Sequence, residues 1–287
     1  MLGLLLTAGA SAAEEASASV GKWEIARGKE SVFSLGFFNS LWATLFFLTL
    51  AFLIPKNFLI AGFPHGFIFS MSSLPTFLPR VGLEILQEYV AVYAVMRADR
   101  STFGFLRVIT IPLLLVTDII LAYSVSLSQI AGMVLIIVSL ILLFMNHGIR
   151  RQGAWLVTFI AVNAVVTISL FKYDISHFNS VSAEQAIVSL VLVIFFLTMA
   201  LVKTKENPLR LLERPVFFAQ SFLMGVSSVV MSFAYLFSAA SIITAGKRAF
   251  NILFCMISGH VYFREKKLWI KVASFVLIAI GLVFLAM

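Results

Sequence analysis

Apolar runs of about 20 residues recur along almost the whole chain, and at the rise of an α-helix each is the length that crosses a bilayer. A transmembrane barrel would instead show shorter segments of alternating polarity. The predicted class is therefore all-α, a polytopic membrane helical bundle. Composition agrees: 61% of the residues are hydrophobic, only 12% are charged, and 29 are Phe. The formal charge of +8 would suit nucleic acid, but the basic residues sit in short loops between apolar segments, where they orient helices in a membrane. No nucleic-acid partner is expected. The single cysteine, Cys255, excludes an internal disulfide and a thiolate metal cluster. His65, His147, His177 and His260 lack ligand spacing, so neither metal nor cofactor is expected.

Charges and turn residues divide the apolar sequence into ten predicted helices, at 2–20, 32–54, 80–97, 101–123, 127–145, 154–173, 184–202, 215–238, 241–263 and 268–287. Residues 55–79 hold Pro64, Gly66, Pro75 and Pro79 and read as a membrane-surface connector or re-entrant piece. The first helix has two readings. Its apolar core, Leu2 to Ala13, is either a short small-residue transporter helix or a signal peptide without a basic n-region.

A break at Asn146 to Gly153 splits the chain into five-helix halves, 1–148 and 149–287. An odd number of spans per half inverts the second relative to the first, as in many secondary transporters. The loops after the odd-numbered helices carry most of the Lys and Arg, and the positive-inside rule makes that side cytoplasmic.

Several charges lie inside the apolar segments, where each costs roughly 3 to more than 10 kcal/mol unless it is compensated. Arg107 sits in the fourth predicted helix and Lys247 and Arg248 in the ninth, at matching places in the two halves. Arg107 lies about 9 Å inside its helix, so it either snorkels to the headgroups or faces a cavity and binds an anion with its planar fork. Lys247 and Arg248 point about 100° apart, so one can face a cavity and the other a neighbouring acid. Asn251 shares a face with Lys247. Asp118 lies at nearly the azimuth of Arg107 and is a candidate cation partner or gate.

On the third predicted helix Arg80, Glu84, Gln87 and Glu88 share a face. Arg80 and Glu84 read as an interfacial ion pair. Glu88 is deeper, and is a proton carrier or the partner of Arg107 or Arg248. Glu14 and Glu15 either end the first helix in water or place a carboxylate within the membrane. Tyr89, Tyr93, Asn163, Gln220 and Tyr235 line a cavity or satisfy interhelical hydrogen bonds.

The C-terminal hairpin, with its Phe263-Arg264-Glu265 turn followed by an apolar helix containing Gly281, resembles the final hairpin of the drug/metabolite transporter superfamily, in its EamA-like families. The first half repeats the form from Tyr93 through Pro112, a turn at Ser124 to Ser128, and Gly132. A narrower likeness is to the triose-phosphate and nucleotide-sugar branch, which sets a Lys in helix 4 and a Lys-Arg pair in helix 9 against anionic substrates. Arg107 and Lys247-Arg248 fall at those places. The Phe-rich run Phe33 to Phe38 departs from the polar landmark usual in helix 2. The family norm puts both termini in the cytoplasm, whereas the loop charges here favour the reverse. Glu14 is similar in position to the first-helix glutamate of small multidrug transporters.

The resemblance implies a secondary transporter, not an enzyme. Its expected cargo is a small anionic or zwitterionic metabolite, driven by exchange for a second metabolite or by protons. Arg107, Lys247, Arg248, Asn251, Tyr89, Tyr93 and Tyr235 are the expected substrate ligands, and Glu88, Asp118 and Glu14 the expected coupling or ion-pair groups. A lipid flippase on the same scaffold is the alternative, and an intramembrane enzyme on lipid phosphates ranks below it for want of a nucleophile-base pair. Membrane lipids are the expected surroundings, in a bacterial or archaeal inner membrane, with the chain as monomer or homodimer.

Overall fold

A computed structural model describes residues 2–52, 66–120, 126–146, 151–237 and 240–286. Among these every regular element is helical. They are α1 (Leu2–Ala26), α2 (Val32–Phe52), α3 (Leu74–Arg97), α4 (Arg100–Leu106), α5 (Thr110–Ile120), α6 (Leu127–Met145), α7 (Ala154–His177), α8 (Val181–Met199), the short α9 (Pro208–Leu211), α10 (Pro215–Ala234), α11 (Ala240–Val261) and α12 (Leu268–Ala286). Four stretches are long and apolar enough to cross a membrane by themselves: Val32–Phe52, Ala154–His177, Val181–Thr204 and Pro215–Ala234. The chain is an apolar helical bundle with the character of an integral membrane protein.

Several element boundaries differ from the sequence expectation. The first helix is not short: α1 runs 25 residues and packs on α10 and α11. Glu14 and Glu15 consequently lie in mid-helix and not at a solvated end. They are accommodated because cations from other helices meet them there, which no local pattern in α1 reveals. The third helix starts earlier than expected, at Leu74, with Pro75 in the first turn, where a missing N–H costs nothing. Of the proposed connector, residues 53–65 lie outside the described residues. Residues 66–70 have no regular structure and lead through a 3-10 turn, Met71–Ser73, into α3. The eighth element continues past Met199 as a π-helical turn, Ala200–Thr204.

The expected fourth helix is broken. Between α4 and α5 lies a 3-10 turn, Arg107–Ile109. Pro112 has no N–H for the Val108 carbonyl, and the Thr110 hydroxyl donates to the Arg107 carbonyl at 2.8 Å and the Ala161 carbonyl at 3.2 Å. A 3-10 stretch within a helix marks a hinge or a functional site.

Successive turns gather alternately at the two ends of the bundle. At one end, which carries most of the basic loops, Glu206 accepts from the Ser31 N–H at 2.9 Å and Lys267 donates to the Asn146 carbonyl at 2.7 Å. At the other, the Ser180 N–H donates to the Ile68 carbonyl at 2.9 Å and the Ser70 N–H to Asn179 Oδ1 at 2.9 Å. The main packing pairs are α1 with α10 and α11, α3 with α7, α2 with α8 and α10, α4 with α11, and α6 with α12.

Small residues let these helices approach. A Cβ on Gly36 would lie 2.4 Å from the Phe196 ring, and one on Gly225 would lie 2.3 Å from the Trp42 Cβ and 2.9 Å from its carbonyl carbon. The Phe33 to Phe38 run supplies core: Phe37 and Phe38 are fully buried, and Phe38 stacks on Phe217 with centroids 5.8 Å apart.

Candidate functional site

Helices α2, α3, α7, α8, α10 and α11, with the 3-10 turn, enclose a cavity of about 220 Å³. The α2, α7 and α8 helices thus supply wall together with α3, α10, α11 and the 3-10 turn. Arg107, Lys247 and Arg248 all line it. The structure therefore brings together the three cations that the sequence places in different halves.

Each cation is met differently. Arg107 Nη1 donates to Glu14 Oε1 at 3.1 Å, and Lys247 Nζ lies 3.0 Å from Glu14 Oε2, so one carboxylate bridges two cations. Arg107 also lies over the Phe103 ring at 5.0 Å. This corrects the snorkelling alternative for Arg107. Its head turns inward because the 3-10 turn and Glu14 give it a place there.

Arg248 is 2% exposed and has no carboxylate within ion-pair distance among the described residues. Its one protein hydrogen bond there is a long one, Nη2 to the Thr110 hydroxyl at 3.4 Å, and Nε and Nη1 have no partner. Of the neighbouring pair, both of which line the cavity, Lys247 meets an acid and Arg248 does not. Asn251, one turn on, is buried with its Oδ1 unpartnered.

On the α3 side Glu84, Gln87 and Glu88 line the cavity with Arg80. Arg80 is buried within the bundle, 1% exposed. Its close partner is Glu184 of α8. Glu84 stands 3.8 Å away, and the guanidinium lies 4.6 Å over the Phe171 ring. Those groups, drawn from distant parts of the chain, give the charge a buried home. Glu88 makes no ion pair within 4.0 Å among the described residues, and its electrostatic neighbours are Glu84, Arg107, Glu14 and Lys247.

The tyrosines separate. Tyr235 lines the cavity, with its hydroxyl 3.1 Å from the Thr244 hydroxyl. Tyr89 and Tyr93 do not. They join an aromatic group with Phe33 and Phe195, where Tyr89 stacks on Phe33 at 6.3 Å and meets the Phe195 edge at 6.3 Å. Asn163 and Gln220 serve as interhelical donors: Asn163 to the Leu83 carbonyl at 3.0 Å and to Gln87 at 3.1 Å, Gln220 to Glu30 at 3.3 Å. The Asp118 side chain lies outside the described residues. Among the described residues no cluster of His, Cys, Asp and Glu has a metal-binding arrangement.

A second ionic cluster stands toward the basic end, and the sequence does not announce it. Arg100 Nε and Nη2 grip Glu15 at 3.0 and 2.5 Å, while Ser19, Cys255 and Ser258 donate to the same carboxylate at 2.8, 2.8 and 2.5 Å. Next to it Glu265 caps the start of α4, accepting from the Arg100 N–H at 2.7 Å and pairing with Lys271 at 2.9 Å. Burial would raise the Glu265 carboxyl, but the Ser101 hydrogen bonds and the Lys271 ammonium hold it below the usual range. The aromatic-x-Glu turn is a visible signal in the sequence, but its target, a helix N-terminus 165 residues earlier, is not.

The chain matches no protein-family model and no curated protein.

Proposed function

We propose that the protein is a secondary transporter that moves a small metabolite bearing an anionic group by alternating access. The observation that carries this reading is Arg248: a buried cation on a cavity wall, without a carboxylate in ion-pair range among the described residues, beside two further cations. Leaving such a charge uncompensated is costly, and an incoming carboxylate or phosphate would repay the cost. Arg107 and Lys247 widen the positive field, and their one shared carboxylate, Glu14, offsets it only in part.

The proposed frame is two inverted five-span repeats, with α1 to α6 in one and α7 to α12 in the other. The packing supports it. Exchanging the halves turns the α1 and α10 contact into that of α7 and α3, and the α1 and α11 contact into that of α7 with α4 and α5. The α2 with α8, α4 with α11, and α6 with α12 pairs map onto themselves. Similarity to the EamA-like transporters remains part of the proposal and rests on the hairpin motifs.

A lipid flippase is the second reading. It is favoured by the sparse packing of α3 on α8, both of which line the cavity, compared with the close packing of α2 on α10.

Flux decides between these. Purified protein in liposomes is expected to exchange a labelled anionic or zwitterionic metabolite, and Lys247→Ala with Arg248→Ala to reduce the rate at least tenfold in protein that still purifies folded. Unchanged flux in that variant would refute the cation site. Movement of labelled lipid in place of metabolite would select the flippase.

A further inference from the structure

The cavity is not uniformly positive. Arg248 projects from α11 with Nε and Nη1 unpartnered, and across the same cavity Glu88 projects from α3 with no ion pair among the described residues. The other charged groups of the lining have ion-pair partners: Arg107 and Lys247 share Glu14, and Arg80 lies between Glu184 and Glu84. Of the charged groups lining the cavity, Arg248 and Glu88 are the two that make no ion pair among the described residues.

Resting on the carrier reading above, we propose that the cargo is a small zwitterion, whose carboxylate meets Arg248 and whose ammonium meets Glu88. A guanidinium suits a carboxylate because two N–H groups can donate in parallel; on Arg248 the unpartnered Nε and Nη1 each make such a fork together with Nη2, whose one bond, to the Thr110 hydroxyl, is long at 3.4 Å. An ammonium suits Glu88, which is flanked one turn away by Glu84 on the same helix. An acid lacking the amine would leave Glu88 without a counter-charge, and an amine lacking the acid would leave Arg248 so. A buried site built for two charges rejects a ligand that supplies one, since the orphaned group bears the desolvation cost.

The rest of the lining mixes Phe47, Phe171 and Met231 with Ser40, Gln185 and Ser228, so the body joining the two charges meets both apolar and polar wall. At about 220 Å³ the cavity admits a metabolite of a few heavy atoms.

Four probes with one six-carbon body isolate the charges: 2-aminohexanoate, 6-aminohexanoate, hexanoate and hexylamine. Calorimetric titration into the full-length protein in detergent is expected to show one of the two amino acids binding at least tenfold more tightly than hexanoate or hexylamine. Glu88→Gln is expected to remove that advantage while leaving hexanoate binding as tight or tighter, and Arg248→Gln to remove it while leaving hexylamine binding as tight or tighter. Both variants are neutral, Glu88→Gln is nearly isosteric, and circular dichroism checks the fold of both. Should either fail to fold, the four-probe comparison on the unaltered protein decides alone. Hexanoate binding as tightly as both amino acids, or no binding by any of the four, overturns the zwitterion assignment.

Flux in liposomes separates this proposal from the one on which it rests. An amino acid that binds but is not carried removes the transporter and leaves the site. Hexanoate carried as fast as the amino acids removes the zwitterion and leaves the transporter.

Discussion

At the residue scale the protein handles buried charge in two ways: by surrounding it, or by leaving it open. Glu15 is surrounded, with Arg100, Ser19, Cys255 and Ser258 on its two oxygens. Glu30, in the turn between α1 and α2, is surrounded less well. It is 5% exposed, accepts from Gln220 at 3.3 Å, and has no partner for Oε2 among the described residues. Burial pushes its carboxyl up to about 8, the nearby carboxylates Glu206 and Glu24 add to this, and the Gln220 N–H works against it. The folded state therefore holds this proton more tightly than the unfolded chain. The resulting stability is complete below the ordinary carboxylate range and is lost as pH rises through about 8. The thermal midpoint of the purified protein is expected to fall by several degrees between about pH 5 and about pH 9, and Glu30→Gln to lessen that fall. A midpoint difference between the variant and the parent that does not change with pH would remove Glu30 from this role.

At the scale of elements, contact between helices is set by where small residues stand. In a bilayer the lipid is as apolar as the side chains, so association depends on close packing and hydrogen bonds more than on burial from water. At Gly225 of α10 an added methyl would meet the backbone of Trp42 and Ala43, which cannot rotate aside. Gly225→Ala is expected to force α2 and α10 apart and cost about 1–3 kcal/mol, read as a lower thermal midpoint. Gly9→Ala in α1, where nothing stands within 4 Å, is the control and is expected to be neutral or slightly stabilising through helix propensity. Equal effects at the two glycines would show that packing is not what Gly225 provides. Neither contrast is visible in the sequence, where both are glycines inside apolar helices. The Phe33 to Phe38 run behaves in the same way. It stands out in the sequence as a departure from a polar pattern, and only its packing on Phe217 and Phe196 gives it a role as core.

At the scale of the molecule, the Glu15 and Arg100 cluster draws α1, α4 and α11 together toward the basic end, while the cavity lies beyond it. A carrier working by alternating access has to part these helices in its other conformation. Cys255 stands in that seam, 2% exposed, and it is the one cysteine of the chain. The unaltered protein thus carries its own reporter. In proteoliposomes Cys255 is expected to react slowly with a permeant maleimide, and severalfold faster when a transported substrate drives the exchange of conformations. A labelling rate indifferent to a substrate that is demonstrably transported would show that the helices do not part at this seam.

The sequence by itself determined the helical class and the membrane character, because runs of apolar residues at bilayer length leave the backbone no other way to satisfy its hydrogen bonds. It also marked Arg107, Lys247, Arg248 and Glu88 as charges that need a reason to be where they are. It did not determine which were compensated. Glu14 and Arg107 are 93 residues apart, Glu15 and Cys255 240, and Arg80 and Glu184 104. No local pattern encodes such pairings, since each depends on which helices touch and how they are rotated. Only the tertiary structure joined Glu14 to Arg107 and Lys247, enclosed Glu15, withdrew Tyr89 and Tyr93 from the cavity, and left Arg248 and Glu88 facing a common space. The cost of an ionised group in an apolar medium depends on the charges within a few ångströms of it, and that distance is measured in space and not along the chain.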